Sequence, residues 1–202
     1  MVHFLYLAHT KERYRKQTAF SILTLLEFLA DSQSKHSIVV YTDDPDYFRQ
    51  LPVQTIAVSE GLLREWKGEI AFVHRMKICL LMDAAERFSG PLILLDSDNC
   101  VFQDPLPLLT DWKDDLLFMS SLEYRLQHPA DVVGRKYRRF FRRHSRFKGV
   151  SEEYVVTMQQ ECWNAGVVGL SEKATAYLPD VLALCDTIHS LFPKHLSEQM
   201  AF

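Results

Sequence analysis

The sequence predicts an α/β protein with a mostly parallel central sheet flanked by helices on both faces. In the first hundred residues, short apolar runs alternate with stretches whose apolar residues recur every three or four positions. This alternation is typical of parallel strands joined by right-handed helical crossovers. Four branched aliphatic residues follow Pro91 and indicate a strand buried on both faces, as the strands of parallel sheets are.

The first half of the chain follows this alternation closely. Strand 2–8 is apolar nearly throughout, and the first helix has an apolar stripe formed by Ala19, Ile22, Leu23, Leu26 and Leu29. The expected elements are, in order, strand 2–8, helix 12–30, a polar turn at 31–34, strand 37–42, a short helix at 46–51, strand 53–58, helix 69–88 and strand 91–95.

The pattern is less regular after residue 105. We expect a short helix or turn at 106–109, a strand at 116–120, a polar and strongly basic stretch at 123–149, a weak strand or helix at 155–158, a strand with two glycines at 163–170, and a helix at 175–191. Pro179 either interrupts that helix or opens its main segment. A further helix begins near residue 196, and the sequence ends inside it. We therefore expect residues 1–202 to form a single domain truncated at its C-terminus.

Two carboxylates, Asp96 and Asp98, directly follow the strand at 91–95. Ligands of open α/β sheets bind at the carboxyl ends of the strands, and two neighbouring carboxylates repel each other unless a cation lies between them. A hard divalent cation such as Mg²⁺ or Mn²⁺ suits this pair, with substrate phosphates completing its shell. The alternative is a solvated acidic pair without a ligand.

The same edge of the sheet should carry the loops that follow the first two strands. These loops contain His9 and Thr10 after the first strand and Thr42 and Asp43 after the second. Because parallel strands end on one side, we expect these four residues to lie on one rim with the two aspartates.

Two later pairs of residues are candidates for ligand binding. Asn164 offers an amide donor and acceptor, and Gly166 permits close approach of the backbone. The alternative is a strand bulge with a capping asparagine. Glu198 and Gln199 could fix sugar hydroxyls, although Ser-Glu-Gln is also ordinary chemistry for the start of a helix.

Two cations, Arg75 and Lys77, lie on the helix that precedes the aspartate strand. They could hold phosphates. The alternative is that their aliphatic stems pack on the helix while their charges reach water.

Residues 135–148 contain eight Lys or Arg and no acid, whereas the other 188 residues carry 15 basic and 26 acidic groups. Phe140, Phe141 and Phe147 could act as apolar anchors within this run, so an anionic membrane or a charged glycan acceptor is a candidate ligand. RNA is another candidate ligand, and the alternative to all three is a mobile basic helix or loop.

The sequence also argues against several function classes. It contains no HExxH, GxGxxG, GxxxxGK[ST] or GxSxG motif, so metalloprotease, dinucleotide, P-loop and serine hydrolase sites are not supported. The four cysteines form no CxxC pair, and no apolar stretch approaches the length of a membrane span. These observations predict a cytoplasmic protein that contacts membranes peripherally, if at all.

Taken in order, the strand into Asp96-Ser97-Asp98, the segment Asn164-Ala-Gly-Val167 and the pair Glu198-Gln199 resemble the nucleotide-sugar glycosyltransferases of the GT-A fold. The group of glycogenin and the bacterial lipopolysaccharide galactosyltransferases is the most similar. The resemblance extends over nearly the whole chain as a pattern of elements.

For the nucleotide, the resemblance implies that Asp96 and Asp98 bind Mn²⁺ or Mg²⁺ on the diphosphate of a nucleotide sugar. Ser97 lies between them in the same motif. It implies that the loops after the first two strands hold the base and ribose, most often uridine, through His9, Thr10, Thr42 and Asp43.

For the sugar, the resemblance implies that Lys77, together with Arg75, holds donor phosphate or sugar and that Asn164 faces the donor sugar. Glu198 and Gln199 match an Asp-Gln pair of the family, with the amide near the anomeric carbon. Glu198 is one methylene longer than the usual aspartate. The family's later histidine, which completes the metal shell, and its Gly-Lys phosphate clamp have no counterpart before Phe202.

The sequence therefore predicts a metal-dependent glycosyltransferase that moves a hexose from a nucleotide-diphosphate sugar to a saccharide, lipid-linked or protein hydroxyl, with retention at the anomeric centre. An inverting enzyme with Glu198 as base is one alternative. A module that binds nucleotide sugars or other anionic ligands without turnover is another. A nucleotidyltransferase is disfavoured, because the loop after the first strand has no glycine. Nucleic acid is not expected as a partner.

Overall fold

The computed structural model describes residues 1–29, 35–105 and 117–202. Its described strands are β1 (Val2–Ala8), β2 (His36–Thr42), β3 (Gln54–Ala57), β4 (Leu92–Leu95), β5 (Leu117–Met119), β6 (Leu122–Arg125), β7 (Arg146–Lys148), β8 (Glu153–Val155), β9 (Glu161–Trp163) and β10 (Val167–Leu170). Its described α-helices are α1 (Glu12–Leu29), α2 (Glu60–Lys67), α3 (Arg75–Arg87), α4 (Val132–Arg143) and α5 (Leu178–Leu191), and 3-10 turns span Pro45–Phe48 and Lys173–Tyr177.

The central sheet has six strands in the order β3-β2-β1-β4-β10-β5. Strands β1 to β4 run parallel to one another, which confirms the predicted α/β architecture. Strand β10 is antiparallel to both β4 and β5. Because of this reversal, β10 begins at the edge where β4 ends, so the residues before β10 lie beside those after β4.

The core lies on both faces of this sheet. Side chains alternate along each strand, so Phe4 and Tyr6 of β1 pack on one face with Ile22 and Leu25 of α1. Leu5 lies in the second cluster, on the opposite face, with residues of α3 and α5. All four residues of β4 are buried, as the run of branched aliphatics predicted.

Several predicted elements differ from the structure. The helix expected at 69–88 was wrong at its start: α3 begins at Arg75, and a separate helix, α2, precedes it. The strand expected at 163–170 is two strands, β9 and β10, separated by residues 164–166. Residues 196–202 form hydrogen-bonded turns. The turn predicted at 31–34 and the helix or turn at 106–109 fall outside the described residues.

The basic stretch is organised around α4. The sequence suggested its three phenylalanines as membrane anchors. That prediction is wrong, because Phe140, Phe141 and Phe147 are buried in the core. Helix α4 is therefore amphipathic, with an aromatic inner face and a basic outer face. None of the helices in residues 1–29, 35–105 and 117–202 is both long and apolar enough to cross a membrane.

Candidate active site

The loops after β1 and β2 meet at the carboxyl edge of the sheet. Ala8 pairs with Thr42 at the end of the two strands, and the backbone amide of Thr10 then donates to Asp43 Oδ2 at 2.7 Å. Thr10 has φ +68°, a left-handed conformation that is unusual for a residue other than glycine. The rim predicted from the first two strand ends is thus built by direct contact between their loops.

The side chains in these loops are oriented by one another. His9 Nδ1 lies 2.6 Å from Thr10 Oγ1, and buried Thr42 accepts a hydrogen bond from the amide of Asp44 at 3.1 Å. Burial lowers the pKa of His9, and although the Asp43 carboxylate raises it, Lys67 lowers it again. A neutral imidazole has one donor and one acceptor nitrogen, and because Nδ1 is bonded to Thr10, Nε2 is the nitrogen left for a ligand.

The segment before β10 joins this edge through backbone contacts. The amide of Asp96 donates to Gly166 O at 2.8 Å, and Asn99 Nδ2 donates to the same oxygen. Gly166 N donates in turn to Asn164 Oδ1 at 2.7 Å, which closes a turn of the Asx type. A Cβ at position 166 would lie 2.7 Å from that oxygen, so the tight turn requires glycine. Asn164 therefore caps the turn, and the turn brings Gly166 to the backbone of Asp96.

Lys77 is the cation at the centre of the site. Its Nζ lies 2.8 Å from each carboxylate oxygen of Asp96 and 3.1 Å from Ala165 O. It also lies 3.5 Å from Glu198 Oε1, on the last described segment of the chain. One ammonium therefore joins α3, the end of β4, the turn before β10 and the C-terminal residues.

The charges of this cluster are partly removed from water. Glu198 is 1% exposed, and its Oε2 has no hydrogen-bond partner among the described residues. Burial raises the pKa of Glu198, opposed by the charge of Lys77. Burial also raises the pKa of Asp96, again against Lys77, and the nearby charge of Asp98 raises it further. Burial alone would lower the pKa of Lys77, but Asp96 and Glu198 outweigh burial and raise it.

A second network fixes two amides. Asn164 Nδ2 donates to Glu123 Oε1 at 2.7 Å, and Gln199 Nε2 donates to Glu123 Oε2 at 2.9 Å. Gln199 Nε2 also donates to Trp163 O at 3.3 Å. Because a carboxylate only accepts, Glu123 sets the orientation of both amides. Sequence reasoning missed Glu123, which was assigned to the basic stretch at 123–149.

The structure uses Arg75 elsewhere. Its guanidinium binds both carboxylate oxygens of Asp186 on α5, at 2.6 and 3.1 Å, and donates to Trp66 O at the end of α2 at 2.8 Å. Arg75 therefore joins three helices, and the site is built around Lys77 without it.

The metal prediction concerns Asp96 and Asp98. Asp96 already binds a cation, the Lys77 ammonium, through both oxygens, and Asp98 is exposed beside it, with Ser97 half-buried between them. No group of three or more His, Cys, Asp or Glu arranged to hold a metal occurs within the described ranges. Two carboxylates are nevertheless the usual protein contribution to a Mg²⁺ or Mn²⁺ site whose other ligands are phosphates and water, so the residues fit such an ion.

The sheet order, the reversed β10 and the acidic edge together define the fold class. The chain has the GT-A glycosyltransferase fold: a six-stranded, mainly parallel sheet flanked by helices. No protein-family model and no curated protein sequence matches it.

Two solved structures are similar in fold. One is galactosyltransferase LgtC in complex with donor and acceptor sugar analogs, with a TM-score of 0.63 and 12% identity over 98% of this chain and 69% of that one. The other is an active-site glutamine-to-glutamate mutant of LgtC, with a TM-score of 0.62 and 13% identity over 98% and 68% of the two chains. At this identity the likeness establishes the fold.

Proposed function

We propose that this chain is a metal-dependent glycosyltransferase that moves a hexose from a nucleotide-diphosphate sugar, most simply a UDP-sugar, to a saccharide, lipid-linked or protein hydroxyl with retention at the anomeric centre. The observation that carries the proposal is the meeting of Lys77, Asp96 and Glu198 beside the Asn164–Glu123–Gln199 network at the carboxyl edge of a GT-A sheet.

The chemistry of the leaving group supports this arrangement. As the bond to the sugar breaks, negative charge develops on the diphosphate. A divalent ion held by Asp96 and Asp98 would neutralise that charge when bound. Lys77, a half-buried cation at the same edge, supplies the protein's own positive charge, and its contacts with Asp96 and Glu198 hold it in place.

The orientation of Gln199 supports the proposed role at the sugar. Because Gln199 Nε2 donates to Glu123 and Trp163 O, its carbonyl oxygen is the atom left to interact with a ligand. No described residue donates to that oxygen. A carbonyl oxygen stabilises the positive charge that grows on the anomeric carbon, so the network prepares Gln199 for that role.

Calorimetric titration of UDP tests the nucleotide site. We expect binding with Mn²⁺, much weaker binding in EDTA, and loss of the metal-dependent part in Asp98→Ala. Glu86→Ala, which also removes an exposed carboxylate but lies near the end of α3, is the matched control. If neither UDP nor GDP binds under either condition, the proposal fails. Binding without transfer from any donor would identify a binding module instead.

An inverting reaction is the second candidate, and the position of Glu123 favours it. Glu198, the base suggested by the sequence, is 1% exposed and held by Lys77, whereas Glu123 is an exposed carboxylate bonded to Gln199. Glu123 could accept the proton of the acceptor hydroxyl. NMR of the product decides, because an inverted anomeric centre excludes the retaining reaction.

A further inference from the structure

The outer face of α4 carries the most concentrated positive charge in the described chain. Arginines recur there every three or four residues and line one groove of about 350 Å³: Arg135, Arg138, Arg139, Arg142 and Arg143. At 1.5 Å and 100° per residue they form a stripe about 12 Å long within an arc of about 140°. Helical geometry therefore aligns five guanidinium groups on one side.

These arginines have no acidic partner among the described residues. The structure pairs basic residues elsewhere, such as Arg75 with Asp186 and Arg125 with Glu161. The guanidinium groups of the α4 stripe make neither an ion pair nor a hydrogen bond with any described residue. Arg138 Nε is buried without an acceptor in the described part of the chain. Five like charges held together repel one another, so the stripe is suited to an external anion.

The opposite face of α4 explains why the stripe is fixed in place. The ring centroids of Phe140 and Phe141 lie 5.0 Å apart, and both rings pack against Phe147, at 6.2 and 5.8 Å. Phe140 also stacks on Phe192 at 5.1 Å. The aromatic residues of this segment are therefore unavailable for stacking on bases, which disfavours single-stranded nucleic acid. They are equally unavailable for insertion into a bilayer.

We propose that the outer face of α4 docks on the surface of an anionic lipid bilayer by electrostatic attraction alone. Residues 135–148 carry eight Lys or Arg and no acid, while the rest of the chain is net acidic, so the molecule is oriented with this face toward a negative surface. A helix lying along the surface brings the whole stripe to the lipid phosphates, and the groove receives a headgroup. Because no aromatic anchor inserts, salt fully reverses the binding.

Helix α4 carries the docking face on its outer side and contacts a strand of the candidate active site with its buried side. Gly134 of α4 packs against Tyr124, so closely that a Cβ there would lie 2.9 Å from the Tyr124 ring. Tyr124 follows Glu123 on β6, and the carboxylate of Glu123 accepts a hydrogen bond from Gln199. If the chain has the proposed function, on which this step rests, docking would hold the catalytic edge near an acceptor carried on lipid.

Sedimentation with vesicles tests the proposal independently of catalysis. The purified chain is mixed with phosphatidylcholine vesicles, with or without phosphatidylglycerol, at about 0.1 M and about 1 M salt. The test variant replaces Arg139, Arg142 and Arg143 with glutamine, and the control replaces the exposed Lys35, Arg49 and Arg64 with glutamine, so both lose three positive charges. Circular dichroism and the UDP titration verify that each variant is folded and keeps its nucleotide site.

We expect retention only on anionic vesicles at low salt, on the order of 100-fold weaker for the α4 variant and nearly unchanged for the control. Equal loss in both variants would show that net charge alone binds. Retention at high salt or on neutral vesicles would show apolar insertion. No retention, or capture by a short RNA without retention on vesicles, would also overturn the proposal. If the chain binds UDP but not vesicles, the docking proposal fails and the proposed function is unaffected. If it binds vesicles but not UDP, the proposed function fails and the docking proposal is unaffected.

Discussion

Replacing Lys77 with methionine tests the charge cluster at the centre of the site. Methionine keeps most of the apolar stem and removes the ammonium, which lies 2.8 Å from both oxygens of Asp96 and 3.5 Å from Glu198. Glu198 is left as a buried carboxylate whose nearest basic group is His74, 3.7 Å away. Burial, which the substitution leaves in place, lowers the pKa of His74, so His74 is a poor substitute cation.

The expected magnitude follows from the burial of the two carboxylates. Removing one partner of a buried pair costs about 3–5 kcal/mol when the other stays charged, and Glu198, at 1% exposed, falls in that class. Asp96 is 33% exposed, so water screens its charge and its loss of Lys77 adds only about 0.5 kcal/mol.

Protonation of Glu198 relieves this penalty, which makes it depend on pH. The folded pKa of Glu198 is already raised by burial, and removal of Lys77 raises it further. A carboxyl whose pKa is raised on folding holds a proton more tightly in the folded state, so stability is greatest at low pH and falls as pH rises. The loss in Lys77→Met should therefore be about 3–5 kcal/mol near pH 8 and clearly smaller near pH 5.5.

Urea unfolding monitored by tryptophan fluorescence in EDTA measures this effect. Glu198→Gln in the Lys77→Met background removes the buried charge, so the double variant should regain most of the stability at pH 8. Glu198→Gln alone is the control that completes the double-mutant cycle. A loss that is equal at both pH values, or that is unaffected by Glu198→Gln, would refute the reasoning.

Three further substitutions test the surroundings of the site. Glu123→Gln should lower kcat about 10- to 100-fold with UDP affinity unchanged, because Gln199 loses a charged hydrogen-bond acceptor; steady-state kinetics beside the UDP titration measure it, and unchanged kcat would contradict it. Arg75→Met should cost about 1–3 kcal/mol in urea unfolding and leave UDP affinity unaltered; weaker UDP binding would restore the sequence-based role of Arg75. Gly134→Ala should lower the free energy of unfolding by about 1–3 kcal/mol, because the new Cβ would lie 2.9 Å from the Tyr124 ring. An unchanged urea midpoint would show that the Tyr124 ring moves aside.

The parts of the fold that local sequence determines were predictable. The apolar run after Pro91 gave a strand buried on both faces, and the parallel order of β1, β2 and β4 placed their final loops on one edge. That placement predicted that the residues after these strands would gather. The contact of Thr10 with Asp43 joins the first two loops, and the parallel pairing of β1 with β4 places Asp96 at the same edge of the sheet.

The predicted start of α3 was wrong because the turn before it leaves little trace in the sequence. The apolar register continues through residues 69–74, so nothing there signals the turn in which Ala71 has φ +51°. The available signals were the ends of α2: Ser59 accepts from Leu62 N at the start, and Gly68 has φ +64° at the end.

Glu123 and Arg75 show a different limit of sequence reasoning. Glu123 acts through Gln199, 76 residues away, and Arg75 pairs with Asp186, 111 residues away. Neither contact leaves a local pattern, since both depend on how β6 and α5 pack. From the sequence, Arg75 and Lys77 were therefore equally good candidates for the site, although only Lys77 lies in it.

The charges at the edge of the sheet also bear on metal dependence. Lys77 is shared between Asp96 and Glu198, and the exposed carboxylate of Asp98 raises the pKa of Asp96, which indicates that negative charge is in excess there. A diphosphate approaching this edge alone adds like charge and is repelled. A divalent cation between the aspartates reverses the sign of that interaction. We therefore expect binding of UDP at this edge to depend on a divalent cation, and tight binding of UDP in EDTA would mean that the diphosphate lies elsewhere.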